Sequence, residues 1–103
     1  KYFKVTPQIT VTPSSGAVGQ AIKVDGTGFY SREGNIKVTF DGEVRKEKIY
    51  ADKDGSWSVT ITVPPIQGGR YIIDAWGTST RARDVPDVTF TVNAGILVAP
   101  ISA

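Results

Sequence analysis

Hydrophobic and polar positions alternate along most of this chain. The clearest case is SWSVTITVP at 56–64, where Trp57, Val59, Ile61 and Val63 alternate with serine and threonine. Such a period of two places one set of side chains on the buried face of a β-strand. The same pattern predicts strands in seven segments: 8–12, 21–26, 36–42, 43–51, 56–64, 69–77 and 87–93. No stretch shows helical spacing over three turns.

Turn signals rich in glycine, proline and aspartate separate these segments, roughly every 8 to 12 residues, as in immunoglobulin-like sandwiches. The sequence therefore predicts an all-β fold, an immunoglobulin-like β-sandwich of about seven strands. The segment 43–51 is the most polar of the seven and is predicted to be an edge strand. The chain contains no cysteine, so the fold has no disulfide and lacks the Cys–Trp–Cys signature of antibody domains.

The two ends of the chain resemble each other. Six pairs match at one offset, 90 − 3 = 87: Phe3/Phe90, Val5/Val92, Ile9/Ile96, Val11/Val98, Pro13/Pro100 and Ser15/Ser102. Self-similarity at a fixed period is typical of repeat arrays. We therefore predict one module at 8–93. Residues 1–7 then end a preceding repeat or form a linker, and 94–103 form a linker and the start of the next repeat.

This organisation leaves very short linkers between copies, which predicts a semi-rigid rod rather than a flexible string of domains. The chain begins at Lys1 rather than at a methionine, which is what we expect of a fragment of a longer protein. The alternative is that the stretch 94–103 is a tail unrelated to any repeat.

Composition excludes several classes of function. The chain has 103 residues and neither cysteine nor histidine, so the commonest nucleophile–base pairs and transition-metal ligands are missing. We predict no enzymatic activity, no cofactor and no metal. The net charge is +2, and the basic residues are interleaved with acidic ones, which argues against a nucleic-acid partner. No apolar run approaches the roughly 20 residues of a membrane helix, and no signal peptide is recognised.

The stretch ADKDGSW at 51–57 raises the question of a calcium loop. Aligning Gly55 with the glycine of an EF-hand places Tyr50 and Ile61 where the first and last ligands must stand. A tight turn explains the stretch better, because Asp54-Gly55 is a strong hairpin signal and Asp52 can accept a backbone N–H there.

The strand pattern places Trp76, a large aromatic residue, on the outer face of its strand. If Tyr71 and Ile73 face the core, Ile72 and Trp76 lie on the outer face as an exposed apolar pair, which is typical of a contact surface. We predict a ligand or protein contact there, flanked by the neighbouring arginines Arg81 and Arg83. Two alternatives remain open, namely burial of Trp76 by its own loop 78–86 and a strand register shifted by one residue.

Three motifs carry a family resemblance over 8–93. They are ITVTPSSGAVGQAIKVDGTGF, IKVTFDG and ADKDGSWSVTITVPPIQGGRYIIDAWG. They resemble the immunoglobulin-like modules of the IPT/TIG type, especially those repeated in tandem in large bacterial and archaeal surface and S-layer-associated proteins. The segments YSREGN and TSTRARDVPD depart from this pattern by their charges.

The resemblance implies a non-catalytic module that spaces, stiffens or displays other domains at a cell surface. Its expected partners are neighbouring repeats of the same chain, and a cell-wall polymer, glycan or surface protein is a further option. The alternative is a carbohydrate- or cell-wall-binding accessory module attached to an enzyme. Fold-level analogy does not choose among these ligands.

Overall fold

The computed structural model describes residues 6–93, which form eight β-strands and one short 3-10 helix. The strands are β1 (Gln8–Thr12), β2 (Ser15–Gly16), β3 (Ala21–Thr27), β4 (Ile36–Phe40), β5 (Glu43–Ile49), β6 (Trp57–Thr62), β7 (Gly69–Trp76) and β8 (Val88–Val92), and the 3-10 helix is Ala82–Asp84. The all-β prediction is confirmed. The additional strand is β2, which lies in a segment predicted to be a loop. Most of the predicted flanking segments 1–7 and 94–103 lies outside the described residues.

The strands form two sheets packed as a sandwich. One sheet has the order β1-β3-β6, and the other has the order β2-β8-β7-β4-β5. The chain crosses between the sheets directly after Thr12, and β2 pairs with β8 in parallel while the other pairs are antiparallel. As predicted, β5 is an edge strand, and all of its residues except Ile49 are exposed. No helix within residues 6–93 is long and apolar enough to cross a membrane.

The core lies between the two sheets and is built from the inward positions of the alternating strands. Phe40 packs against Tyr71 and Phe90, with ring centroids 5.6 and 5.9 Å apart. The largest fully buried side chains are Phe40, Phe90, Ile22, Ile36, Ile73, Val24, Val38, Val63 and Val92. Trp57 is also buried and closes one end of the sandwich, where it meets Phe29 edge to face at 5.4 Å.

Two aspartate–glycine turns connect successive strands, and the first of them joins a pair of neighbours in one sheet. Asp41 and Gly42 both have positive φ, 55° and 83°, as a two-residue type I′ hairpin between β4 and β5 requires. At the second turn, Asp52 Oδ1 accepts the backbone N–H groups of Asp54 (2.8 Å) and Ser56 (3.0 Å). These bonds lower the pKa of Asp52. The tight turn predicted for this stretch is therefore confirmed, but it is not a hairpin, because it connects β5 of one sheet to β6 of the other.

The chain enters the sandwich at one end and leaves it at the other. Pro7 precedes β1, and Gln8 pairs with Thr27 at the end of β3. Since β2 continues in the direction of β1 and runs parallel to β8, the C-terminal end of β8 lies at the opposite end of the module. There Asn93 donates its backbone N–H to Gly16 O at 2.8 Å.

Candidate functional site

A groove lies on the outer face of the larger sheet, over β4 and β7. We call it the sheet groove; it has a volume of about 420 Å³, and its lining residues are Thr39, Asp41, Gly42, Ile72, Asp74 and Trp76. Ile73 and Ala75 of β7 are fully buried in the core. Because side chains alternate along a strand, Ile72, Asp74 and Trp76 face outward and form the β7 side of the groove.

The sheet groove combines apolar and polar groups. Ile72 is 43% exposed, Trp76 is half-buried, and Trp76 lies opposite Lys37 of β4. Thr39 lines the groove but is only 3% exposed, and its pairing partners are Val44 on β5 and Asp74 on β7. Its hydroxyl lies 3.5 Å from the Asp74 carbonyl oxygen. Apolar side chains beside hydrogen-bonding groups are the usual lining of a small-ligand site.

Asp74 is one of two carboxylates that line the sheet groove, the other being Asp41. Burial raises the pKa of the Asp74 carboxyl group, and the negative charge of Asp87 raises it further. The backbone N–H of Ala75, which donates to Asp74 Oδ1 at 2.8 Å, opposes this rise only in part. The Asp74 carboxylate thus receives one hydrogen bond from the described residues and keeps further acceptor capacity.

The two arginines predicted to flank Trp76 take different positions. Arg81 is exposed and directly precedes the 3-10 helix, and Arg83 is exposed within it. Neither lines the sheet groove. The loop folds back at its start, where Gly77 donates its N–H to Thr80 O at 2.9 Å, and this directs the rest of the loop toward the N-terminal end of the module. Of the four candidate residues, the structure brings Ile72 and Trp76 together.

Arg83 lines a second and larger concavity at the N-terminal end of the module. We call it the end pocket; it has a volume of about 780 Å³. One wall is the incoming chain at Thr6 and Pro7, a second is the loop after β3 with Gly28 and Tyr30, and a third is the loop after β7.

A buried carboxylate holds two walls of the end pocket together. Glu33 is only 4% exposed and accepts four hydrogen bonds. Its Oε1 accepts the Tyr30 N–H at 3.0 Å and the Thr80 hydroxyl at 2.6 Å. Its Oε2 accepts the N–H groups of Ser79 and Thr80 at 2.9 and 2.8 Å. Burial alone would raise the pKa of Glu33, but these four bonds together outweigh it and lower the pKa.

Sequence reasoning missed Glu33. The glutamate stands in the charged stretch YSREGN, which has the composition of a solvated loop, and its main partner Thr80 is 47 residues away. The one local signal is its position between two glycine-rich turns, and that signal does not distinguish a buried acid from an exposed one.

The charged residues that line the two concavities are Asp41 and Asp74 in the sheet groove and Arg83 and Asp84 in the end pocket. The chain has no histidine, and within residues 6–93 no group of three or more acidic or metal-ligating side chains could hold a metal ion. Trp76 and Ile72 contribute large apolar side chains to the sheet groove, and Tyr30 contributes one to the end pocket.

A sequence model of the IPT/TIG domain family matches residues 7–92, which is most of the chain and nearly the whole of the predicted module at 8–93. No curated protein sequence matches the chain.

Proposed function

Because the chain belongs to the IPT/TIG domain family, whose members are generally non-enzymatic immunoglobulin-like modules, we propose that it is a spacer in a large extracellular surface protein. In this role the module holds neighbouring domains apart along one line, and repeated copies of it form a stalk that displays an adhesive or catalytic domain. Its immediate partners are the neighbouring repeats of the same chain.

The observation that carries this proposal is the path of the chain. Pro7 lies at one end of the sandwich and Asn93 at the other, so a copy joined at either boundary extends the molecule instead of folding back on it. The internal offset of 87 residues and the family match over 7–92 both correspond to one such unit.

The pairing of β2 with the last strand, β8, suits a module that carries load. Tension applied at the two ends acts along β2 and β8, which are parallel neighbours. Thr91 donates its N–H to Ser14 O at 3.0 Å, and Asn93 donates to Gly16 O at 2.8 Å. These bonds lie across the direction of pull, so they must break together rather than one after another.

Small-angle X-ray scattering of chains with one, two and three copies of residues 7–93 tests the spacer role. We expect the maximum dimension to increase by a constant amount with each added copy. A maximum dimension that barely increases from one copy to three would show that the copies fold back on each other, and it would overturn the proposal.

A second candidate function rests on the sheet groove. An indole beside an aliphatic side chain can stack on a sugar ring, and a neighbouring carboxylate can accept hydrogen bonds from its hydroxyl groups, which suits a carbohydrate- or cell-wall-binding accessory module. Ile72, Asp74 and Trp76 supply these groups, and Arg81 and Arg83 lie outside the groove.

Retention of the labelled chain on isolated cell walls and insoluble polysaccharides tests the second function. We expect Trp76→Ala to abolish retention without lowering Tm, while Tyr50→Ala, which removes an exposed aromatic ring that does not line the groove, leaves retention unchanged. Equal retention of all three proteins would exclude the groove as the binding site. Absence of retention in all three would leave the spacer as the supported function.

A further inference from the structure

We propose that the end pocket is the docking surface for the C-terminal end of the preceding copy of this module, so that consecutive modules form a fixed joint. This inference rests on the proposed spacer function, because it requires a second copy directly upstream. The partner is thus a second copy of this chain, and its contact region consists of the loops at 17–20 and 63–68.

The incoming chain is held in a fixed direction at the end pocket. Gly28 has a φ of +76°, and a Cβ atom built at this position would lie 2.5 Å from Thr6 O and 3.1 Å from Pro7 Cα. A side chain is thus excluded where the backbone of Thr6 and Pro7 passes. Close backbone contact of this kind, together with the fixed φ of proline, restricts the angle at which an upstream module enters.

The repeat offset places the upstream copy directly above the end pocket. At an offset of 87 residues, Thr6 occupies the position of Asn93, which follows the last residue of β8. The equivalent of Asn93 in a preceding copy is therefore Thr6, and Pro7 is the one residue between it and the start of β1 at Gln8. One residue is too short to keep two modules apart, so their facing surfaces meet.

Each of the surfaces that meet in this way carries an exposed large hydrophobic side chain. Tyr30, at the end pocket, is 63% exposed, and Val18 in the loop at the opposite end is 46% exposed. The Val18 loop lies beside the C-terminal end of β8, since Gly19 donates to Val63 O at 2.9 Å and Asn93 donates to Gly16 O. Both are large hydrophobic side chains left in water by the isolated module, and docking would cover them together.

The end pocket is also rigid enough to serve as a joint. Glu33 accepts the backbone N–H of Tyr30 on one wall and those of Ser79 and Thr80 on another. Because these donors belong to two loops, the carboxylate fixes the width of the pocket before any partner arrives. Preorganisation of this kind reduces the entropy lost on docking.

A double-label distance measurement on a two-copy chain tests the joint. Residues 1–92 fused to residues 6–103 keep the Thr6–Pro7 junction and the 87-residue period. Since the chain has no cysteine, Thr60→Cys in each copy gives two spin labels on an exposed position of β6. Pulsed electron–electron double resonance then measures the mean distance between the two spin labels and the width of the distance distribution.

We expect a long mean distance with a narrow distribution. Tyr30→Ala in the downstream copy, or Val18→Asp in the upstream copy, should broaden the distribution about twofold, because the linker alone then sets the angle. The matched controls are the same substitutions in the other copy, Tyr30→Ala upstream and Val18→Asp downstream, which should leave the distribution narrow.

Other outcomes overturn the inference in distinguishable ways. A broad distribution at a long mean distance in the unsubstituted chain would exclude the joint and leave the spacer function intact. A narrow distribution that none of the four substitutions changes would show that the end pocket is not the contact. A short mean distance would overturn the joint and the spacer function together.

Discussion

The carboxylates of Glu33 and Asp74 are both shielded from water, but their pKa values are shifted in opposite directions. Glu33, between the loops of the end pocket, is almost fully buried and has a lowered pKa. Asp74, in the sheet groove, is half-buried and has a raised pKa. The difference lies in the donors, since four hydrogen bonds reach Glu33, while one from Ala75 is all that the described residues give the Asp74 carboxylate.

This difference indicates distinct roles for the two regions. A buried carboxylate with all its donors in place holds the surrounding backbone in one arrangement. A carboxylate with few donors, beside the exposed Ile72 and the half-buried Trp76, still has bonding capacity for a partner. The first region is therefore a structural clamp, and the second is the surface for which we propose a ligand.

The largest expected effect comes from Glu33→Gln. The amide NH₂ would face N–H groups that now donate to a carboxylate oxygen, so buried donors would lose their acceptor. We expect a loss of about 2–3 kcal/mol in unfolding free energy, seen as a decrease in Tm of roughly 10–20 °C. The matched control is Glu47→Gln on the exposed edge strand. Equal Tm values for the two variants would contradict the clamp.

Acid should weaken the same clamp. Because the pKa of Glu33 is lower in the folded than in the unfolded protein, its contribution is present above the ordinary glutamate pKa of about 4.3. The contribution is lost as the pH falls through the lower folded-state value. Thermal melts between pH 6 and pH 2 should show a steeper acid loss of Tm for the native chain than for Glu33→Gln. Parallel curves would contradict this assignment.

The smallest expected effect, of opposite sign, comes from Asp74→Asn. The raised pKa means that the ionised form is disfavoured in the fold, so the native chain loses stability as the pH rises through the pKa of Asp74. Asparagine keeps the acceptor for Ala75 N–H and removes the charge. After solvent screening we expect a gain of a few tenths of a kcal/mol at pH 7, which disappears in acid. A lower unfolding free energy of Asp74→Asn than of the native chain at pH 7 would show that the Asp74 charge stabilises the fold, as the Glu33 charge does.

The alternation of side chains predicted most of the fold and part of the groove. Strands such as β6 have one buried face, so their pattern is a local property that the sequence displays directly. The same pattern placed Ile72 and Trp76 on the outer face. The strand β2 has two residues and no period, and its pairing with β8 depends on where the chain crosses between the sheets.

The end pocket could not be predicted in this way. Its walls come from three separate loops, and the bonds of Glu33 to Ser79 and Thr80 span 46 and 47 residues. The positions of Arg81 and Arg83 could not be predicted from the sequence either. Arg83 is near Trp76 in the chain, but the fold of the loop places it at the end pocket, because Glu33 and Gly77 determine the direction of the loop.

Single-molecule pulling between the two ends of a multi-copy chain tests the central claim that the module is a spacer that bears load in series. Asn93→Pro removes the N–H that donates to Gly16 O, and Asn93→Ala keeps it. We expect a clear loss of unfolding force in the proline variant, with the alanine variant equal to the native chain. A low unfolding force that is the same in all three proteins would contradict a load-bearing spacer.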